Sequence, residues 1–235
     1  MNIASLYIPL RLLPAEKRVT LQRGFTLVEM ALVLVIIGII LAGILNAQSM
    51  IESSRAKDFV TIIEDIRSAT TYFKQRYRYL PGDLPAPAAD ITVVPALVAG
   101  TGGTIGNGLI EGAIAAATGL ATAGSEVAEA PWQLFNAGFI SKVNGGAAAP
   151  NTQRRLSTIY GAVHMASAAT ANGLVAGFTA ANPAARNAIL FQNLTCEIVT
   201  EIDNKIDDGV ATTGRAMAAA ACVSRATVPW YAVVL

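Results

Sequence analysis

Glu29 is the only charged side chain in an apolar run that extends from Phe25 to Leu45. A carboxylate inside such a run costs roughly 2–4 kcal/mol to hold in lipid, and less near the interface. Two arrangements relieve that cost. Near the start of a helix, the side chain can reach the headgroups and favour the positive helix end. Alternatively it can meet a cation from another molecule, so that two charges become one pair.

The other residues able to do chemistry lie far downstream. Asp203, Asp207 and Asp208 are oxygen donors of the kind that take Ca²⁺. Their spacing is not that of an EF-hand loop, and no Glu completes one, so a solvated helix end and turn is the simpler reading. Cys196 and Cys222 are the two cysteines. In an exported region they suit a disulfide. It would close a loop of about 25 residues and stabilise by about 3 kcal/mol in the chain-entropy view. The alternative is two unrelated buried thiols. His164 is the single histidine and falls in an expected strand, where a structural role is the default. Gly100-Thr101-Gly102 begins like a dinucleotide-binding loop, but residue 105 is Ile and no strand–helix context surrounds it. A flexible Ala/Gly/Thr-rich surface loop, with a tight turn at Gly106-Asn107-Gly108, accounts for that stretch. Zinc spacing, a Walker loop and a nucleophile elbow are absent from the sequence, and no catalytic activity is expected.

These residues need elements to position them. Charged residues make up 14% of the chain, aromatics 6%, and mean hydropathy is +0.49. The net charge of +1 gives no reason to expect a nucleic-acid partner. That average hides a basic cluster, Arg11, Lys17, Arg18 and Arg23 against Glu16, directly before the apolar run. As a helix, Phe25 to Leu45 spans about 30 Å, enough to cross a bilayer core. It is too long for the apolar core of a signal peptide. The basic cluster predicts the N-terminus in the cytoplasm and the rest outside.

After Leu45 the pattern becomes one-sided. Phe59, Ile62, Ile63, Ile66, Ala69, Phe73 and Tyr77 recur at spacings of three and four. No proline interrupts Phe25 to Leu80, so one helix of about 80 Å is predicted, apolar all round at first and amphipathic afterwards. Leu80-Pro81-Gly82-Asp83-Leu84-Pro85 ends it. Pro131 to Ile140 reads as a short helix, with Pro131 in its first turn, Gly138 at its end, and Trp132, Leu134, Phe135 and Phe139 in the core. Leu156–Val163 and Leu174–Thr179 read as strands. Phe191, Leu194, Ile198, Ile202 and Ile206 follow helical spacing into the acidic turn Asp207-Asp208-Gly209.

Arg23-Gly24-Phe25-Thr26-Leu27-Val28-Glu29 resembles the processing motif of type IV prepilins. The resemblance covers the leader junction, the apolar run and the helix after it. It implies a membrane peptidase that cuts after Gly24 and methylates the new amine of Phe25. It also implies that Glu29 pairs with the amine of a neighbouring subunit during assembly. The segment around Asp207-Asp208-Gly209 resembles the end of some pilin-like heads, and calcium sites occur in heads of major pseudopilins. The expected organisation is leader 1–24, membrane helix 25–45, amphipathic helix 46–80 and exported head 81–235. The expected fold is the α+β pilin fold, a long N-terminal helix on a small antiparallel sheet. The implied function is that of a structural subunit of a type IV pilus-like filament. Its partners would be the prepilin peptidase, further copies of itself, other pilins and an inner-membrane assembly platform. A pseudopilin of type II secretion remains open on the same residues. So does an uncleaved, signal-anchored periplasmic binding protein.

Overall fold

The computed structural model describes residues 24–85, 102–141, 143–144, 155–158 and 161–235. The leader before Gly24 and the first part of the Ala/Gly/Thr-rich stretch lie outside the described residues. The chain divides into two compact units, Met1–Asn46 and Ala47–Leu235. A single 51-residue helix, α1 (Leu27–Tyr77), contributes to both.

In the first unit, residues 27–44 form an apolar helical segment of mean hydropathy 2.9 with no buried side chain. It is long and apolar enough to cross a membrane.

In the second unit, the rest of α1 is amphipathic, as its spacing predicts. Ala56, Phe59, Ile63, Ile66, Ala69 and Phe73 are buried along one stripe, with Ile62 and Tyr77 packed at its margin. The helix ends at Tyr77, and Arg78 takes a left-handed φ of 69° before the two prolines. The remaining elements are α2 (Glu126–Asn136), β1 (Val143–Asn144), β2 (Arg155–Thr158), β3 (Gly161–Ser167), α3 (Ala168–Leu174), α4 (Phe178–Ala181), β4 (Asn187–Thr195), α5 (Cys196–Ile206), β5 (Ala216–Ala218) and β6 (Thr227–Val234). The strands form one sheet, ordered β1-β2-β3-β4-β6-β5, and every neighbouring pair is antiparallel. The architecture is α+β, as expected.

β4 is central and buried on both faces. On one face Phe191 meets Phe59 of α1 edge-on, with ring centroids 5.5 Å apart. The buried Asp203 of α5 reaches Tyr231, the β6 neighbour of Phe191, on the same side. On the other face, the Trp230 indole donates to the carbonyl of Ala116 at 3.0 Å, which ties residues 110–122 over the sheet.

Five local expectations are corrected. Pro131 lies inside α2, not in its first turn, because Ser125 caps the helix by accepting from the Ala128 N–H at 3.3 Å. Burial of Val127, Ala128, Ala130 and Leu134 outweighs the hydrogen bond that Pro131 cannot make. Leu134 is core, but Trp132 and Phe135 stack on each other 5.5 Å apart with partial exposure, and Phe139 is half-buried. Leu156 and Val163 are paired opposite each other on β2 and β3, not carried on one strand. Leu174–Thr179 contains the end of α3 and the start of α4. Ser167 caps α3 by accepting from the Thr170 N–H at 3.2 Å. Phe191 and Leu194 belong to β4, and the helix begins only at Cys196. A strand buried on both faces loses its polar alternation, so its apolar spacing can coincide with that of a helix.

Candidate functional site

The helix start at Gly24–Glu29 is built by a reciprocal cap. Thr26 precedes the first helical residue, and its Oγ1 accepts from the Glu29 N–H at 3.2 Å. Glu29 Oε2 accepts in return from the Thr26 N–H at 3.5 Å. This Thr-x-x-Glu arrangement satisfies two backbone donors that a helix start otherwise leaves unpaired. The Thr26 carbonyl accepts the first intrahelical bond, from Met30, at 3.2 Å. Thr26 as a cap was missed at the level of sequence, although the Thr-x-x-Glu spacing before an apolar run carries the signal.

The cap divides the motif into two parts. Gly24 and Phe25 lie before the helix and are exposed, Phe25 by 78%. A non-helical, exposed peptide bond is accessible to a peptidase in a way that a helical one is not. A Cβ added at Gly24 would meet nothing within 4 Å. Among the described residues nothing requires glycine there, and a molecule that approaches the backbone closely would. The carboxylate of Glu29 is turned back towards the helix start, and among the described residues no cation pairs with it.

Immediately after the cap the surface is apolar. Leu27, Leu34 and Ile39 are 91%, 67% and 69% exposed. Exposed large side chains in a continuous helical segment call for lipid or other apolar helices around them.

The downstream candidates have structural partners. Asp203 is buried and accepts from the Tyr231 hydroxyl at 3.0 Å, and burial raises its carboxyl pKa to about 6. Asp207 accepts from the Ala216 N–H at 2.8 Å. Asp208 accepts from the Val210 N–H at 2.8 Å and the Thr213 hydroxyl at 2.7 Å. Asp207 and Asp208 thus brace the turn that leads into β5, while Asp203 ties α5 to β6. Among the described residues, no group of three or more His, Cys, Asp or Glu is placed to hold a metal ion.

Cys196 and Cys222 come together as free thiols, with Cys222 Sγ 3.6 Å from the Cys196 carbonyl oxygen. Burial pushes the Cys222 thiol up to about 12. His164 is fully buried in β3, and burial lowers its pKa to about 4, which fits a neutral ring packed 6.2 Å from Trp230.

A carboxylate network went unseen in the sequence because its members are far apart along the chain. Asp83 accepts from the backbone N–H groups of Gly106 and Gly108. Glu111 accepts from the Thr104 N–H at 2.6 Å and the Asn107 amide at 2.8 Å. Glu126 accepts from the Glu111 N–H at 2.7 Å. Burial, with Asp83 and Glu111 close by, raises the Glu126 carboxyl to about 7.

No curated protein and no solved structure matches the chain. The family model for the prokaryotic N-terminal methylation motif matches residues 20–45, the segment that contains the cap and the apolar helix. The chain therefore carries the prokaryotic N-terminal methylation motif, the prepilin signature characteristic of type IV pilins and pseudopilins.

Proposed function

We propose that the protein is a structural subunit of a type IV pilus-like filament. It is cut after Gly24 by the prepilin peptidase, methylated at Phe25, and assembled through the first half of α1. The observation that carries this reading is the join between an exposed non-helical Gly24-Phe25 bond, a Thr26–Glu29 cap and an unburied apolar helix over residues 27–44. Cleavage would leave a cationic amine one residue before the cap. The carboxylate of Glu29 in a neighbouring subunit would neutralise it, and pairing in an apolar bundle would fix axial register. Before assembly the subunit sits in the bacterial inner membrane, with its C-terminal unit in the periplasm.

Mass spectrometry of the chain recovered from cells with an active prepilin peptidase provides the test. The expected mature form begins at N-methylated Phe25. An intact chain from Met1, independent of the peptidase, would instead support an uncleaved membrane anchor. Export also bears on Cys196 and Cys222. Their proximity favours a disulfide in the oxidising periplasm, which thiol alkylation before and after reduction would detect.

A further inference from the structure

An open groove of about 1070 Å³ in the unit Ala47–Leu235 gathers positive charge. Arg67 and Lys74 line one wall from α1, two turns apart, and Arg78 follows just beyond the helix end. Arg186, before β4, and Arg215, before β5, also line it. Among the described residues, Asp83 is the acidic side chain along the lining. Asp83 is already spent on the N–H groups of Gly106 and Gly108.

The cations differ in what they have left to offer. Arg67 is occupied by Glu64 at 2.7 Å and by the Val234 carbonyl at 2.6 Å. Arg186 donates one nitrogen to the Asn107 carbonyl at 2.6 Å and keeps further donors. Lys74, Arg78 and Arg215 are exposed and, among the described residues, have no side-chain hydrogen bond or ion pair. Like charges collected around a concave surface repel one another and focus a positive field into it, which a multivalent anion relieves. Guanidinium forks from different elements suit the several oxygens of phosphate groups. Among the described residues Tyr79 is the single aromatic side chain along the lining, and it offers no run of rings on which bases would stack.

We propose that this groove binds a ligand carrying two or more phosphate groups, either a soluble polyphosphate or a phosphorylated lipid headgroup. The experiment is calorimetric titration of the full chain in neutral detergent micelles with inorganic tripolyphosphate. Saturable one-to-one binding is expected. The double variant Lys74→Glu, Arg215→Glu should bind at least about ten-fold more weakly, with its thermal midpoint retained. The double variant Lys57→Glu, Arg225→Glu changes charge equally outside the groove and should bind as the parent does. Competition by a bis-phosphorylated lipid added to the micelles would identify a headgroup as the source. Lack of competition, with tripolyphosphate still bound, would identify a soluble ligand. The proposal is overturned by absent binding, by equal losses in the two double variants, or by a single-stranded oligonucleotide that displaces tripolyphosphate at equal charge.

Discussion

At the scale of single residues, mutation separates the cap that Glu29 forms from the assembly role proposed for it. In one chain it completes a helix cap with Thr26, and in a filament it would also be the counter-ion of a neighbour's amine. Glu29→Ala should therefore leave cleavage after Gly24 intact while sheared filament yield collapses. Thr26→Ala loses only the cap, about 1 kcal/mol at the helix start, and should retain most of the filament. Normal filament yield from Glu29→Ala would remove the pairing role.

Glu126 makes a different residue-level prediction. Its folded pKa of about 7 lies above the ordinary 4.5, so the folded state holds a proton that the unfolded state has released. Stability from this group is present below the ordinary value and is lost as pH rises towards 7. Asp203, raised to about 6 from 3.8, acts in the same direction at lower pH. His164, lowered to about 4 from 6.5, acts oppositely over that interval. Above about pH 6.5 the loss from Glu126 exceeds the gain still to come from His164, whose unfolded ring is then already half deprotonated. The thermal midpoint should fall between about pH 6.5 and about pH 8, and Glu126→Gln should flatten that fall, by roughly 1 kcal/mol after allowance for solvent screening.

At the scale of elements, the second half of α1 is held by a stripe and the acidic turn by close backbone approach. Phe59 is buried and meets Phe191 on the central strand. Phe59→Ala should cost about 3–5 kcal/mol, read as a shift of the urea midpoint. Gly214 has a φ of 82°, and a Cβ there would lie 2.1 Å from the Asp207 carboxylate that braces β5. Gly138, with a φ of 78°, would place a Cβ in open space. Gly138→Ala should cost about 1–2 kcal/mol from backbone conformation alone, and Gly214→Ala measurably more. Equal midpoints for the two variants would mean that the Asp207 contact does not constrain the turn.

At the scale of the whole molecule, the buried apolar core begins at Ala56, whereas residues 27–44 contribute nothing buried. A chain starting at Ala47 should therefore fold and remain soluble, with the far-UV spectrum of an α+β protein. The full chain should pellet with membranes and resist a carbonate wash. Unfolding of the shortened chain under native conditions would show that the second unit needs the first. Charge also belongs to this scale. A net charge of +1 conceals a groove where Lys74, Arg78, Arg186 and Arg215 converge from three segments of the chain.

Everything that depends on near neighbours was legible in the order of residues. The apolar run, the Gly24-Phe25 junction, Glu29, the uninterrupted helix to Tyr77 and its buried stripe all follow from local spacing, because a helix brings together residues three and four apart. Four features were decided only by tertiary structure. β4 reads as helix until burial on both faces is known. Pro131 reads as a helix start until the packing around α2 overrides it. The Asp83–Glu111–Glu126 network and the basic groove join residues tens to more than a hundred positions apart. Their geometry arises from long-range packing and strand register, for which a linear pattern carries no local signal.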